Sequence, residues 1–218
     1  RMLPAQAASE LELKDPAEAA RILLAQNPGA ANPVWERLSP AVAQRCLAEM
    51  TLEDAARVLG AIDPSRAAII LGSLPEERRE SLIGALSATA RDFISLVMSF
   101  PPGSAGAIMD PRVWFLRRTT TVQEALDRVR ALAQGPGRAA GRRLFYLVDD
   151  LARLDGIVEA QDMIMAQPGD TLGEYARPAP AWAEVTMTSE EVVDLIDRHG
   201  LSSLPVVDGA RRLIGVVR

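Results

Sequence analysis

Along the first half of the chain apolar positions recur at a fixed step: Leu38, Met50, Ile62, Leu74, Leu86 and Met98 lie twelve residues apart. The residues that follow the first five are Ser39, Thr51, Asp63, Pro75 and Ser87, and four of them carry an oxygen that can accept from the unpaired N–H groups of a helix start. Each unit therefore begins a new short helix. Eight residues past the anchors stand Cys46, Val58, Ile70, Leu82 and Ile94, and nine past them Leu47, Leu59, Leu71, Ile83 and Ser95, which supply the stripe that closes each helix on its neighbours. In the same register Asp15-Pro16 and Asn27-Pro28 repeat the cap-then-proline pattern of Ser39-Pro40 and Asp63-Pro64, with proline at the first helical position. This places the start of the array near residue 14. Helices of about eight or nine residues are unstable alone and must stack, so the pattern predicts a wound array of short helices whose hand the spacing leaves open.

After Pro101-Pro102-Gly103 the pattern changes to extended segments alternating with helices. Thr121-Val-Gln-Glu-Ala-Leu-Asp-Arg-Val and Thr188-Ser-Glu-Glu-Val-Val-Asp-Leu-Ile, 67 residues apart, both read as capped amphipathic helices. Leu147-Val148-Asp149 precedes Gly156-Ile157-Val158 as Val206-Val207-Asp208 precedes Gly215-Val216-Val217, with seven residues from aspartate to glycine in each case. The second copy thus repeats helix, strand, turn, strand. The offset between these strands is 59 residues, which predicts a longer loop in the first copy around Gly135-Pro136-Gly137. The chain is divided accordingly into 1–100, 101–167 and 168–218.

Composition narrows the function classes. Aromatics make up 4% of the 218 residues, so the cores must be aliphatic. Basic and acidic residues number 10 and 13 in residues 1–100 and 14 and 16 in residues 101–218, without the basic excess of a nucleic-acid binder. A single cysteine, Cys46, and a single histidine, His199, exclude an internal disulfide and a Cys/His zinc site, and point to a reducing, cytoplasmic setting. No run approaches the ~18 apolar residues of a membrane span, and the first residues lack a secretory h-region. Catalysis finds little footing: His199-Gly200 stands at a helix end, and Gly135, Gly137 and Gly141 follow a helix where a phosphate loop would follow a strand.

Leu201-Ser-Ser-Leu-Pro-Val-Val-Asp with Arg212-Leu-Ile-Gly-Val-Val resembles the central stretch of a CBS module, and the first copy is a less typical version of it. Ser104-Ala105-Gly106-Ala107-Ile108-Met109-Asp110-Pro111 resembles the acidic-x-Ala-Gly-x-Leu-Met-Thr-Pro segment joining the helical domain to the first CBS module in MgtE-type magnesium transporters. The short helices with Asp-Pro and Leu-Pro-Glu-Glu starts are similar to that family's N-terminal domain, so the resemblance runs from about residue 15 to residue 218. It implies an α+β multi-domain chain: an all-α superhelical repeat domain followed by a tandem pair of α/β CBS modules, which pair and dimerise. The acidic residues that precede Ala-Gly in the family are replaced by Pro102-Gly103-Ser104. The last strand ends at Arg218, so the family's connecting helix and membrane domain are expected beyond it.

The resemblance also implies ligands. Nucleotide-binding CBS modules follow Gly-x-x with Ser or Thr and, three residues on, Asp; here Gly156 is followed by Glu159 and Asp162, a weakened half-site for ATP or another adenine nucleotide. In the second copy Arg218 takes the hydroxyl's place. The family binds regulatory magnesium between acidic faces of the helical domain and the CBS pair, which draws the region into a closed state. On the CBS side Asp149, Asp150, Glu159, Asp162, Asp170, Glu174 and Asp208 are candidate ligands, and each also reads as a turn former or solvated charge. Glu49, Glu53, Asp54, Glu76, Glu77 and Glu80 form the helical domain's acidic surface, and each equally suits a helix N-terminus. The expected protein is a non-enzymatic, magnesium-sensing, gate-regulating homodimer on the cytoplasmic side of a membrane. The rival is a free-standing CBS regulator that binds an adenine nucleotide and a protein partner, and an inert scaffold is a third reading.

Overall fold

The computed structural model describes residues 3–133 and 144–218 of the chain. It divides into two compact units, Arg1–Pro102 and Gly103–Arg218. The glycines Gly135, Gly137 and Gly141 of the expected long loop lie outside the described residues.

The described part of the first unit holds eight helices: α1 (Pro4–Glu12), α2 (Pro16–Leu24), α3 (Pro28–Trp35), α4 (Pro40–Ala48), α5 (Leu52–Ala61), α6 (Pro64–Gly72), α7 (Glu76–Ala85) and α8 (Ala88–Met98). Their first residues fall on an unbroken twelve-residue step. The array thus starts one unit before residue 14. That first start lacks the usual signal because the cap position is Leu3, and Gln6 Oε1 accepts the Leu3 N–H instead (3.3 Å). Asp15, Asn27, Thr51, Asp63 and Ser87 each accept a backbone N–H at their helix starts. The Ser39 side chain makes no cap bond; its N–H donates to Glu12 Oε1 at 2.7 Å.

Each helix packs chiefly on the one two places along, α2 on α4, α4 on α6 and α6 on α8. The anchors Leu38, Met50, Ile62, Leu74 and Leu86 are buried in one continuous core, and Met98 packs at its edge. Arginines lace the turns to this stack. Arg66 donates to the Leu38 carbonyl, and twelve residues on Arg78 Nη2 reaches the Leu47 and Met50 carbonyls at 3.4 Å, so a cation meets the carbonyl end of a helix three places back.

The second unit begins with α9 (Ala105–Ile108). Then come β1 (Phe115–Arg117), α10 (Val122–Ala133), β2 (Leu144–Val148), β3 (Leu154–Glu159) and α11 (Ala160–Met165). After α12 (Leu172–Tyr175) the order repeats as β4 (Ala183–Glu184), α13 (Ser189–His199), β5 (Leu204–Val207) and β6 (Leu213–Val217). Each half forms a three-stranded sheet in which the first strand is parallel and the third antiparallel to the middle one. Tyr146, Val148, Leu154 and Ile157 of one sheet share a core with Val207, Leu213 and Val216 of the other, so the halves bury their sheets together.

The segments leading into the two halves are exchanged. Ahead of the first half, the Ala105 and Gly106 N–H groups donate to Met187 and Val185 of the second (2.7 and 3.0 Å). Ahead of the second half, the Leu172 and Gly173 N–H groups donate to Thr120 and Arg118 of the first (2.9 Å each). Ser104-Ala-Gly-Ala-Ile-Met-Asp-Pro111 thus has a structural twin 67 residues on, Thr171-Leu-Gly-Glu-Tyr-Ala-Arg-Pro178.

Candidate functional site

The sheet turns account for two of the candidate acids. Asp149 accepts from the Leu151 and Arg153 N–H groups and from Arg153 Nε (2.9, 2.9 and 2.7 Å), and Asp208 repeats the pattern with Ala210 and Arg212 at the same distances. Hydrogen bonds from the Arg153 N–H first, with the guanidinium, hold the Asp149 carboxyl below the usual range. At Asp208 partial burial pushes upward, but the Arg212 and Ala210 bonds outweigh it and the net direction is down. These carboxylates are spent on the turn.

Asp150 pairs with Arg117 at 2.7 Å on the surface. Asp170 accepts from the Gln167 N–H (2.8 Å) and the Tyr175 hydroxyl (2.5 Å), a bond that lowers the acid's pKa and pushes the phenol up to about 12. Glu174 closes a capping box on Thr171 (2.9 and 3.0 Å). Among the described residues no group of three or more acids, histidines or cysteines comes together as a metal cage. In the helical unit, Asp54 is likewise held by Thr51 and Arg57, and Glu76 lies 3.7 Å from Arg79.

Glu159, Asp162 and Gly156 do come together, around a residue that local spacing did not reveal. Arg177, on the exchanged segment, places Nη1 3.2 Å from Glu159 Oε1 and Nη2 3.2 Å from Asp162 Oδ2. Its backbone is fixed by reciprocal bonds with Ile157 (2.8 and 2.9 Å). A Cβ on Gly156 would stand 2.8 Å from the Arg177 carbonyl oxygen, so only glycine lets the segment lie this close. Arg118, which pairs with Asp155, has its Nη2 3.6 Å from the same point. Asp162 Oδ2 is buried with the Arg177 guanidinium as its ion-pair partner, a carboxylate oxygen of the kind that suits a hydroxyl or a hard cation. The half-site therefore holds two acids from β3 and α11 and one guanidinium between them.

The second half carries the matching constellation with its charges reversed. Asp110, the twin of Arg177, exchanges backbone bonds with Val216 (2.7 and 3.0 Å), and its carboxylate accepts Arg218 Nη1 at 3.0 Å and Arg112 Nε at 2.9 Å. Burial alone would raise the Asp110 pKa, but Arg112, by hydrogen bond and charge, and Arg218 hold it below the usual range.

Comparison with known proteins agrees with this architecture. Residues 2–103 match the MgtE intracellular N domain, and residues 172–218 match the CBS domain. The magnesium transporter MgtE of Thermus thermophilus is 30% identical over 124 residues, which make up 57% of this chain and span 27% of that relative's length. The cytosolic domain of the Mg2+ channel MgtE, crystallised in complex with ATP, superposes with a TM-score of 0.63 at 26% identity, over 99% of this chain and 82% of that one. The soluble part of a magnesium transporter shares the fold, with a TM-score of 0.73 at 20% identity over 97% of this chain and 89% of the other.

Proposed function

We propose, from a chain that joins an MgtE intracellular N domain to a CBS region, that it is the cytosolic, gate-regulating part of a magnesium ion transporter or channel. The observation that carries this reading is the likeness, over 99% of the chain, to the cytosolic domain of an MgtE channel. On this reading the chain has no catalytic role and works as a homodimer through its CBS modules. It stands on the cytoplasmic side of the membrane and is linked to a membrane-spanning domain. Among the described residues no helix is long and apolar enough to cross a membrane.

Magnesium is the regulatory ligand in this reading, and its binding favours the compact, closed state. Glu159 and Asp162 fit such an ion once it takes the place of the Arg177 guanidinium between them: both are carboxylates, and Asp162 Oδ2 is a buried oxygen. Mg2+ needs only one or two protein carboxylates because it keeps several waters, so the absence of a three-acid cage among the described residues does not weigh against it. When bound, the ion supplies positive charge that neutralises opposed acids, and the chain's own residues position it and shift between states of different affinity.

Adenine-nucleotide binding is the second element, favoured by the Gly156–Asp162–Arg177 half-site and by the ATP complex of the similar cytosolic domain. Asp162 offers an acceptor to a ribose hydroxyl, and Arg177 offers a phosphate partner. The test is small-angle scattering with and without about 10 mM Mg2+, a level set for a partly hydrated site, with matched ionic strength and parallel calcium and ATP arms. A divalent-specific fall in radius of gyration is the expected result. An unchanged radius with Mg2+ and a response to ATP would replace the magnesium-sensing reading with that of a nucleotide-sensing CBS regulator.

A further inference from the structure

The helical array builds one place in three versions. Arg66, Arg78 and Ala90 stand twelve residues apart on α6, α7 and α8. At the matching positions three helices back the chain offers Trp35-Glu36, Leu47-Ala48 and Leu59-Gly60. The first version is filled. Trp35 is 1% exposed, Arg66 donates to the Leu38 carbonyl, and the Glu36 charge offsets part of the burial that lowers the Arg66 pKa. The third version is closed. A Cβ on Gly60 would stand 3.4 Å from Ala90 Cβ and 3.8 Å from Leu86 Cδ2, so the two helices touch there without a cation between them.

The second version is open. Arg45, Leu47, Ala48, Leu74, Arg78 and Leu82 line a cleft of about 520 Å³, in the size range of ligand sites. Leucine stands there for tryptophan and alanine for glutamate, so the volume and the carboxylate that complete the preceding repeat are both missing. Arg78 meets its two carbonyls only at 3.4 Å. The exposed Arg45 stands where the preceding repeat has Pro33 and adds a second guanidinium. None of this unit's acids lines the cleft, although acidic residues outnumber basic ones in residues 1–100 by 13 to 10.

We propose that this cleft docks a segment of a partner protein that carries a large apolar side chain, best an aromatic one, beside a carboxylate. That is the pair which Trp35 and Glu36 supply from within the chain one repeat earlier. Leu47, Leu74 and Leu82 give the apolar side chain a floor, and burying it there drives the association. Guanidinium groups grip a carboxylate through paired N–H donors, and two of them over an apolar floor select an acid next to a hydrophobe. The proposal is independent of the magnesium and nucleotide readings, since none of their candidate ligands lines this cleft.

The experiment follows amide chemical shifts of the isotope-labelled chain as a capped peptide copying residues 28–36, which ends on Trp35-Glu36, is added. Its final concentration is about 5 mM, enough to see a contact with a Kd of about 1 mM. Shifts are expected at the Leu47, Ala48, Arg78 and Leu82 amides. Arg78→Ala, and Arg45→Ala at an exposed position where folding is not at stake, should each weaken binding about tenfold, the lower end for hydrogen bonds to a charged group. Ala48→Glu, which supplies the acid from within the chain, should remove it. Equal shifts with a peptide in which Trp35 and Glu36 are both alanine, or no shift at these amides, overturn the proposal. So does unchanged affinity in both arginine variants. Shifts at the same amides that grow with protein concentration in the absence of peptide give the cleft to a second copy of this chain instead.

Discussion

Arg218 Nη1 donates to Asp110 Oδ2 across 3.0 Å, joining residues 108 positions apart and tying the leading segment of the CBS unit to the end of its last strand. The Asp110 carboxylate is buried and its pKa is lowered by the arginines around it. Its stabilising contribution is therefore whole above the unfolded-chain value of about 3.9 and is lost as pH falls through the lower native value. Asp110→Asn should cost about 2 kcal/mol at neutral pH, the scale of hydrogen bonds to a charged group. Urea unfolding of both proteins at pH 7 and near pH 3 checks this: the gap between them should narrow in acid, and a pH-independent gap would rule out the ionised carboxylate as its source.

The cap positions of the helical array are unequal. Thr51 Oγ1 accepts the Asp54 N–H at 3.1 Å, whereas the Ser39 hydroxyl makes no cap bond. Thr51→Ala is expected to lose about 1 kcal/mol and Ser39→Ala only a few tenths. Thermal denaturation of the two variants distinguishes them, and equal losses would contradict the assignment.

Two residues hold left-handed backbone without being glycine, Ala152 (φ 60°) and Arg211 (φ 62°), at equivalent places in the two sheet turns. Ala152→Gly should stabilise the unit by up to about 1 kcal/mol by removing that strain. Arg211→Gly should gain less, because the guanidinium stacks 4.4 Å from the Trp182 ring centroid and that attraction, about 0.5–1 kcal/mol, is lost with it. Melting temperatures of the pair give the comparison, and a larger gain at Arg211 would show that the stacking contributes nothing.

Gly156 and Gly215 exclude a side chain for different reasons. At Gly215 the obstacle is the Met109 side chain, and at Gly156 it is the Arg177 carbonyl oxygen. Either alanine should cost about 1–3 kcal/mol through overpacking. Adding Met109→Ala should recover part of the loss in Gly215→Ala, while shortening Arg177 should recover none in Gly156→Ala. A double-mutant cycle in denaturant reads this directly, and strict additivity at the 109/215 pair would refute the contact.

The twelve-residue step was legible because an apolar anchor recurs from Leu38 to Met98 and most units repeat a cap oxygen. The first unit escaped notice only because Leu3 has no such oxygen. The CBS pair was equally open to reading, since matched Asp-to-Gly intervals mark both strand turns. The site was legible in part. Glu159, Asp162 and Gly156 lie on one strand and the helix after it, and spacing within one module finds them. Arg177 comes from the exchanged segment, so its meeting with them is a matter of topology. A signal did exist: Thr171, Gly173 and Pro178 recur in the register of Ser104, Gly106 and Pro111. The five positions between them that differ masked the kinship. The Arg66 and Arg78 ties to distant carbonyls had no sequence mark beyond their own twelve-residue separation.

The exchanged segments also decide where force is felt. Residues 104–110 are fastened to the second sheet, and Arg218 closes on that same fastening. Tension applied at Gly103 and at Arg218 would be resisted by one three-stranded sheet and the Asp110 clasp. The first sheet, with Glu159, Asp162 and Arg177, would stay mechanically slack under the same pull.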